Sequence, residues 1–456
     1  MNDMYQIPKE KVAKLLNLFL AIALIISLLG FFVDITHTIR HGGVDMRNRV
    51  VGARLLNRGL DPYYFKWSQG QDEKLLDPMD KPRTPVSRVT VPPSVLFLHT
   101  IIAELPYIQQ RFLWLLIQWS ALIGSLFFLT FNQGQKLTSK FLPSTVLLLI
   151  SGSSFWRLHV DVGQIYILYV FLISASYYIL QTTNKFRNIL GGLLLGLAIS
   201  LRFPLVVILL PVIIFKKFKL LLATVFSLCL CLLAFVVVTG QQVWISYFSA
   251  MTITGKLAIG KAQLAQNVTS TPLPSMIEGM NNLTLMLRTI YVNSSIQKFV
   301  NALLKVDLYS NHLIVIACVS LLIYSVIIYY SGRHNITKST VSSWDRIFLV
   351  GSLMILILEL FIPAPRYSYN NIQFLIPLFL LLKNLDYSET KSIILLSCLI
   401  LSFLMMNGIF SWFIYSFLIG EWGAIVIMVV MSIRLLKRMA SQSANTELEE
   451  VIQNGR

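Results

Sequence analysis

Apolar residues in this chain come in long, nearly unbroken runs separated by short polar connections. The run from Leu15 to Ile35 holds about 20 residues, enough at about 1.5 Å per residue to cross roughly 30 Å of hydrocarbon. Lys9, Lys11 and Lys14 precede it and no small-residue cleavage site follows, so it reads as an uncleaved first span with a cytoplasmic N-terminus. Further runs begin near Phe112, Phe141, Ile165, Ile189, Phe203, Leu220, Asn311, Ile347, Ile372, Ser392 and Phe417. Together they predict an all-α, polytopic transmembrane helical bundle of about 12 spans. It forms a single integral membrane domain over residues 1–456.

The polar connections sort by charge. Lys136 and Lys140, Lys185 and Arg187, Lys216, Lys217 and Lys219, Arg333, Lys338 and Arg346, Lys383 and Lys391, and Arg434, Lys437 and Arg438 occupy every second connection. Those connections therefore face the cytoplasm, as do both termini and the tail 439–456. The alternation holds if VPPSVLFLHTIIAELP (Val91 to Pro106) does not cross but lies as a re-entrant or surface helix on the outer side. The segments Ile189–Leu201 and Phe203–Phe215 have about 13 residues each, short for a crossing. They form either one span kinked at Pro204 or a hairpin with Arg202 at its outward tip, and the flanking cations fit the hairpin better.

Composition agrees: 55% of residues are hydrophobic and 13% charged, with mean hydropathy +0.69, whereas soluble domains average about 25% charged. The net charge of +17 is dispersed among the connections, which speaks for membrane topology and membrane lipids as partners and against nucleic acid. Cys229, Cys231, Cys318 and Cys398 lie in apolar runs with no metal or redox spacing. No glycine-rich phosphate loop or dinucleotide fingerprint is present, and neither a close acidic pair nor His-x-x-x-His spacing argues for a metal, so no cofactor is expected.

The outward-facing set comprises the first loop (36–90), WRLHVDVGQ (Trp156 to Gln164), Arg202, the second large loop (240–310) and PAPRYSYNN (Pro363 to Asn371). It gathers Asp45, His159, Asp161, Gln164, Arg202, Arg366, Tyr367 and Tyr369 on one side of the membrane. The first loop opens with VDMRNRVVGARLLNRGLDPYY, whose pattern suits an interfacial helix with Arg47, Arg49, Arg54 and Arg58 reaching lipid headgroups. Asp45 stands near its N-terminus, where a carboxylate serves either as a helix cap or as a general base. Glu359, close to the outer end of an apolar run, reads as a hydrated acid or a second functional one. The Asn-x-Ser/Thr triplets at Asn267, Asn282, Asn293 and Asn335 are too common by chance to imply glycosylation.

These stretches, in this order, resemble the GT-C class of membrane glycosyltransferases. The likeness is to the polyprenol-phosphate-mannose-dependent mannosyltransferases of glycosyltransferase family 87. The Asp45 loop is similar to the family's first outer loop and VTVPPSVLFLHTIIAELP to its Tyr-Pro-Pro helix. GQIYILYVFLISASYYIL and GGLLLGLAISLRFPLVVILLP resemble its Gly-Gln segment and its Gly-rich helix ending in a cation and Pro. NNLTLMLRTIY and PAPRYSYNNIQFLIPLFLLL resemble its late elements. The resemblance implies an inverting transferase using a polyprenyl-phosphate sugar donor and a glycolipid or glycan acceptor at the outer face of a bacterial plasma membrane. Asp45 would be the base, Arg202 and Arg366 would hold the phosphate, and Arg49, His159, Gln164, Tyr367 and Tyr369 would complete the substrate site. Arg202 stands where the family usually has Lys, and Arg366, Tyr367 and Tyr369 where actinobacterial members have histidines, which leaves the sugar open. A transporter or flippase for a lipid-linked or anionic solute is the rival reading; it would place polar groups at the bilayer midplane.

Overall fold

The structure, a computed structural model, describes residues 9–40, 42–79, 89–131, 138–258, 294–306, 308, 310–332, 343–362, 366–387, 389–410, 412–413 and 415–454. Residues 259–293 of the second large loop, with Asn267, Asn282, Asn293 and the NNLTLMLRTIY element, fall outside these. So do Lys136, Arg333, Lys338 and Asn335. The described chain is all-helical. In order, its α-helices are α1 (Lys9–Arg40), α2 (Val44–Asn57), α3 (Pro93–Thr100), α4 (Tyr107–Thr130), α5 (Thr138–Ser151), α6 (Ser154–Val162), α7 (Tyr166–Gln181), α8 (Arg187–Leu201) and α9 (Leu209–Ile214). There follow α10 (Phe218–Thr239), α11 (Gln241–Ala258), α12 (Ile296–Leu304), α13 (Ser310–Gly332), α14 (Ser343–Phe361), α15 (Leu375–Asn384), α16 (Thr390–Met406) and α17 (Ser416–Asn454).

Five stretches are long and apolar enough to cross a membrane as single α-helices: Asn17–Arg40, Tyr107–Thr130, Phe218–Thr239, His312–Ser331 and Ser416–Arg438. The pair Phe141–Ser151 and Ser154–Val162, bent by 60°, makes up to six. The bend falls at Gly152 and Ser153, where the Ser153 hydroxyl accepts from the Trp156 N–H at 3.1 Å and so begins a new helix. WRLHVDVGQ, expected as a turn, is thus mostly helix, and it ends at Gly163. The segment Val91 to Pro106 contains only the eight-residue α3, too short to cross. That helix is buried against α2 rather than lying on the surface.

Several expected spans are shorter than 18 residues, and contacts along their length show how they are used. A Cβ on Gly192 would strike Ala223, and one on Gly196 would strike Ser227, each at 2.6 Å. The register increases on both helices, so α8 and α10 run parallel at close approach, and the segment between them must run back the other way. That segment is a 3-10 stretch, Phe203–Ile208, continued by α9. A 3-10 helix rises about 2.0 Å per residue, so its 12 residues cover about 21 Å, nearly the height of α8. Arg202 is consequently at the tip of a hairpin.

Helix α14 lies antiparallel along this return. Glu359 near its end meets Arg202, Gly351 abuts Ile208 and Pro211, and Trp344 at its start lies under the Lys217 ammonium at 5.1 Å. At that second level the Asp345 carboxylate pairs with Lys383 at 2.9 Å and accepts from the Tyr177 hydroxyl at 2.8 Å and the Asn384 amide at 3.3 Å. Two polar layers thus bound the bundle, about 21 Å apart along α14. Between them α14 is almost entirely buried, whereas α10 turns Leu222, Phe226 and Val237 outward, as a lipid-facing helix does.

The tight α8–α10 seam gives a stability prediction. Gly196→Val should lower stability by about 1 to 3 kcal/mol through overpacking, read as a lower midpoint of thermal unfolding in detergent. Leu222→Val, on the exposed face, should leave the midpoint nearly unchanged, and equal midpoints for both variants would contradict the packing.

Candidate active site

The four arginines of the first loop do not reach outward as expected; their guanidinium groups turn onto the protein. Arg54, 7% exposed, donates from Nε to the Ala103 carbonyl at 2.8 Å and from Nη1 to the Lys74 carbonyl at 2.9 Å. Arg47 pairs with Asp77 at 3.2 Å, and Arg58 with Asp72 at 2.9 Å and Glu104 at 3.3 Å. Arg49, 3% exposed, donates to the Gly163 carbonyl and to the Gln164 side-chain oxygen, each at 2.6 Å. The physical reason is the abundance of carbonyls and acids left without partners by the irregular loop, which a guanidinium fork satisfies at several points. Helix α2 is therefore a buried strut rather than a raft on the interface.

Asp45 sits in the first turn of α2, yet no side chain caps that helix; its N-cap is Gly43. The carboxylate instead accepts a hydrogen bond from the Gln164 amide, whose oxygen is held by Arg49. Two glycines allow this approach. Gly43 (φ 64) and Gly163 (φ 72) both have left-handed backbones, and a Cβ on either would collide with the Arg111 guanidinium, at 2.6 and 2.9 Å. Arg111 in turn donates to the Asp161 carbonyl at 3.2 Å, at the C-terminus of α6, where a cation is favoured. Burial pushes the Asp45 carboxyl above its ordinary range, while Arg49 and the Gln164 amide pull it back.

His159 departs from the expectation of a substrate contact. It is fully buried, stacked parallel on Trp156, with Nδ1 at 3.1 Å from the Gln118 amide and Nε2 at 3.3 Å from the Ile167 N–H. The Gln118 amide also donates to the Gln164 backbone carbonyl at 2.9 Å. With both ring nitrogens used inside the protein, His159 supports Gln164 from behind.

Beyond Asp45 the site continues as an aromatic wall. Tyr367 and Tyr369 both lie within electrostatic reach of the Asp45 carboxylate, and burial together with that carboxylate raises the hydroxyl pKa of Tyr367. Their rings lie 5.3 Å apart, and Tyr369 is 5.7 Å from Tyr166. Tyr166 receives the Arg202 guanidinium on its face at 4.3 Å, with Tyr169 at 5.9 Å. Arg202 is held at its other edge by Glu359, donating from Nε at 3.1 Å and also from Nη2. Glu359 is buried, not hydrated, and accepts from Gln373 at 2.7 Å. Asp45, Tyr166, Tyr367, Tyr369 and Arg202 all remain partly open to solvent, so they form one accessible face.

Arg366 also departs from the expected role. It is 1% exposed and paired with the buried Glu421, and it donates to Asn371 at 3.0 Å and Ser294 at 3.3 Å. It cannot present its fork to a ligand; it fixes the start of the 3-10 turn Ser368–Phe374 that carries Tyr369. Tyr166, Tyr169 and Glu421 were the residues sequence reasoning missed as parts of the site, whereas Glu359 stands out in the sequence with its hydrated and functional readings both open. A usable signal existed for two groups: the i, i+3 tyrosines share a helix face, and Glu421 is an acid inside an apolar span.

The arrangement offers a desolvated, oriented carboxylate facing a tyrosine-lined wall with a forked cation at its far edge. Among the described residues no group of three or more His, Cys, Asp or Glu could hold a metal ion. No curated protein matches the chain. Residues 90–358, more than half of the 456, match the family model for glycosyltransferase family 87. The match includes Gln164 and Arg202, and Asp45 is tied to it through the Gln164 amide. With a multi-pass helical body and a match over most of its length, the chain belongs to glycosyltransferase family 87.

Proposed function

We propose that this glycosyltransferase inverts the anomeric centre of a sugar, mannose in the first instance, as it moves it from a polyprenyl phosphate to an acceptor. The acceptor is a lipid-linked saccharide or glycan at the outer face of a bacterial plasma membrane. The observation that carries the reading is Asp45: a partly open, desolvated carboxylate, aimed by Gln164 and Arg49 instead of capping its helix. In the step proposed, an acceptor hydroxyl attacks the anomeric carbon while Asp45 takes its proton. The bond from that carbon to the phosphate oxygen breaks, and polyprenyl phosphate leaves with the electron pair. Arg202, held by Glu359 through Nε and Nη2 and still partly exposed, meets the phosphate charge as it develops.

The bundle supports a GT-C count of about 12 crossings. Segments too short as α-helices gain height from 3-10 turns, and Ser368–Asn384 reaches about 29 Å this way. Polar side chains of the site gather at one layer, at the level of Glu359, which suits a donor whose phosphate rests among headgroups and whose tail lies in the bilayer.

The test is incubation of the purified protein with a panel of radiolabelled polyprenyl-phosphate sugars and release of polyprenyl phosphate as readout. Asp45→Asn should bind the donor normally, because the amide oxygen still accepts from Gln164. Turnover should fall about 10²- to 10⁴-fold, and near-normal turnover would reject the base. The pH profile gives a second check. A base whose pKa is raised must lose its proton before it works, so activity should fall with decreasing pH through a point above the ordinary 3.8. Arg49→Gln removes a cation that lowers this pKa and should move that limb to higher pH; a shift downward would count against the assignment. Finally, Arg202→Lys keeps the charge opposite Glu359 but loses the fork. The donor KM should rise about tenfold with little loss of thermal stability, and an unchanged KM would remove Arg202 from the phosphate.

A further inference from the structure

At the polar layer opposite the candidate site, a cleft of about 550 Å³ opens between the end of α15, the start of α16 and the middle of α17. Its floor is apolar, formed by Leu381, Leu395, Met431 and Leu435, and its rim is ionic. Arg434 pairs with Glu389, and Arg438 with Asp386 at 2.7 Å, which leaves Lys437 as the additional rim cation. Three cations against two carboxylates give the rim a net charge of +1. Lys437 is about 24 Å along α17 from Glu421, so the cleft lies one bilayer core away from Arg366. Beside it α16 turns Ile393 and Ile394 outward. The floor is thus continuous with a lipid-facing surface.

We infer that this cleft binds one anionic glycerophospholipid from the leaflet opposite the active site, its phosphodiester at Lys437 and an acyl chain along Leu381, Leu395 and Leu435. Two features select this occupant. A monoanionic phosphodiester with an uncharged headgroup neutralises the +1 rim, whereas a zwitterionic lipid leaves it uncompensated. An apolar floor under a charged rim fits a molecule with a chain and a charge, and a soluble anion would leave that floor in water. Arg434, already oriented by Glu389, adds a second cation on the rim beside Lys437. Occupancy would bridge α15, α16 and α17 at the layer where Lys383 and Asp345 tie α15 to α14.

The experiment is native mass spectrometry of the full-length protein in detergent, titrated separately with phosphatidylglycerol, phosphatidylcholine and inorganic phosphate. Phosphatidylglycerol should bind as a single tight adduct, about tenfold stronger than phosphatidylcholine. Lys437→Glu, at an exposed position, should weaken that adduct about tenfold, and Lys391→Glu, on the same layer but outside the cleft, should not. Leu395→Trp, which fills the floor and leaves every charge in place, should abolish it. Equal binding of the two lipids, an unchanged adduct in Lys437→Glu, or displacement of the lipid by millimolar inorganic phosphate would each overturn the proposal.

Discussion

The structure turns on the pair between Arg202 and Glu359. Neither group could be buried in an apolar body alone, since an unpaired charge there costs several kcal/mol. Together, with Gln373 on the carboxylate and Tyr166 under the guanidinium, they form a fixed polar joint between the α8 hairpin and the end of α14. Because α14 is packed over most of its surface, fixing its end sets the level of the neighbouring elements. Arg366, bound to Glu421, repeats the device one element further on and ties α17 to the same layer. The open face is therefore framed by buried charge pairs. That is the condition for a cation such as Arg202 to be partly exposed and still aimed.

Much of the layout was legible in the sequence because the bilayer admits few solutions. Apolar runs became helices close to where they were expected, and the cations at Lys216 and Lys217 do lie at the opposite end of the bundle from Arg202. Asp45 stood out because an acid directly after a first span has few structural reasons to be there. What was not legible are partnerships across long separations. Glu359 lies 157 residues from Arg202, and nothing in either segment names the other. The same limit explains the arginines of the first loop. Their expected destination was lipid headgroups, a local answer, whereas carbonyls of Ala103, Lys74 and Gly163 were the available acceptors. His159 was misjudged for a related reason: a histidine beside Asp161 and Gln164 looks like a ligand until Trp156 is found stacked over it.

Five helices are long and apolar enough to cross a membrane singly, and the bent pair makes up to six. The segments after Arg202 and before α15 open instead as 3-10 stretches, which cover more height per residue than an α-helix. Both stretches begin at the functional layer. A 3-10 turn closes its hydrogen bonds after three residues and packs its side chains more openly, so it suits the place where a helix must end, change direction and present Arg202 or Tyr369. Pro204 supplies the first such start, because proline tolerates the opening turn of a helix and lacks the N–H that would otherwise need a partner.

The position of Asp45 follows from the same economy of polar groups. To bring α2 against the end of α6, two backbones must approach the Arg111 guanidinium more closely than any side chain permits, and glycines stand at both points. Arg111 satisfies the carbonyl end of α6, Arg49 satisfies Gly163 and Gln164, and Gln164 then has its amide left to offer. That amide donates to Asp45. The carboxylate is therefore oriented through a connected set of hydrogen bonds that runs from Arg49 through Gln164. Its second oxygen accepts no hydrogen bond among the described residues, and its charge is close enough to be felt by Tyr367 and Tyr369.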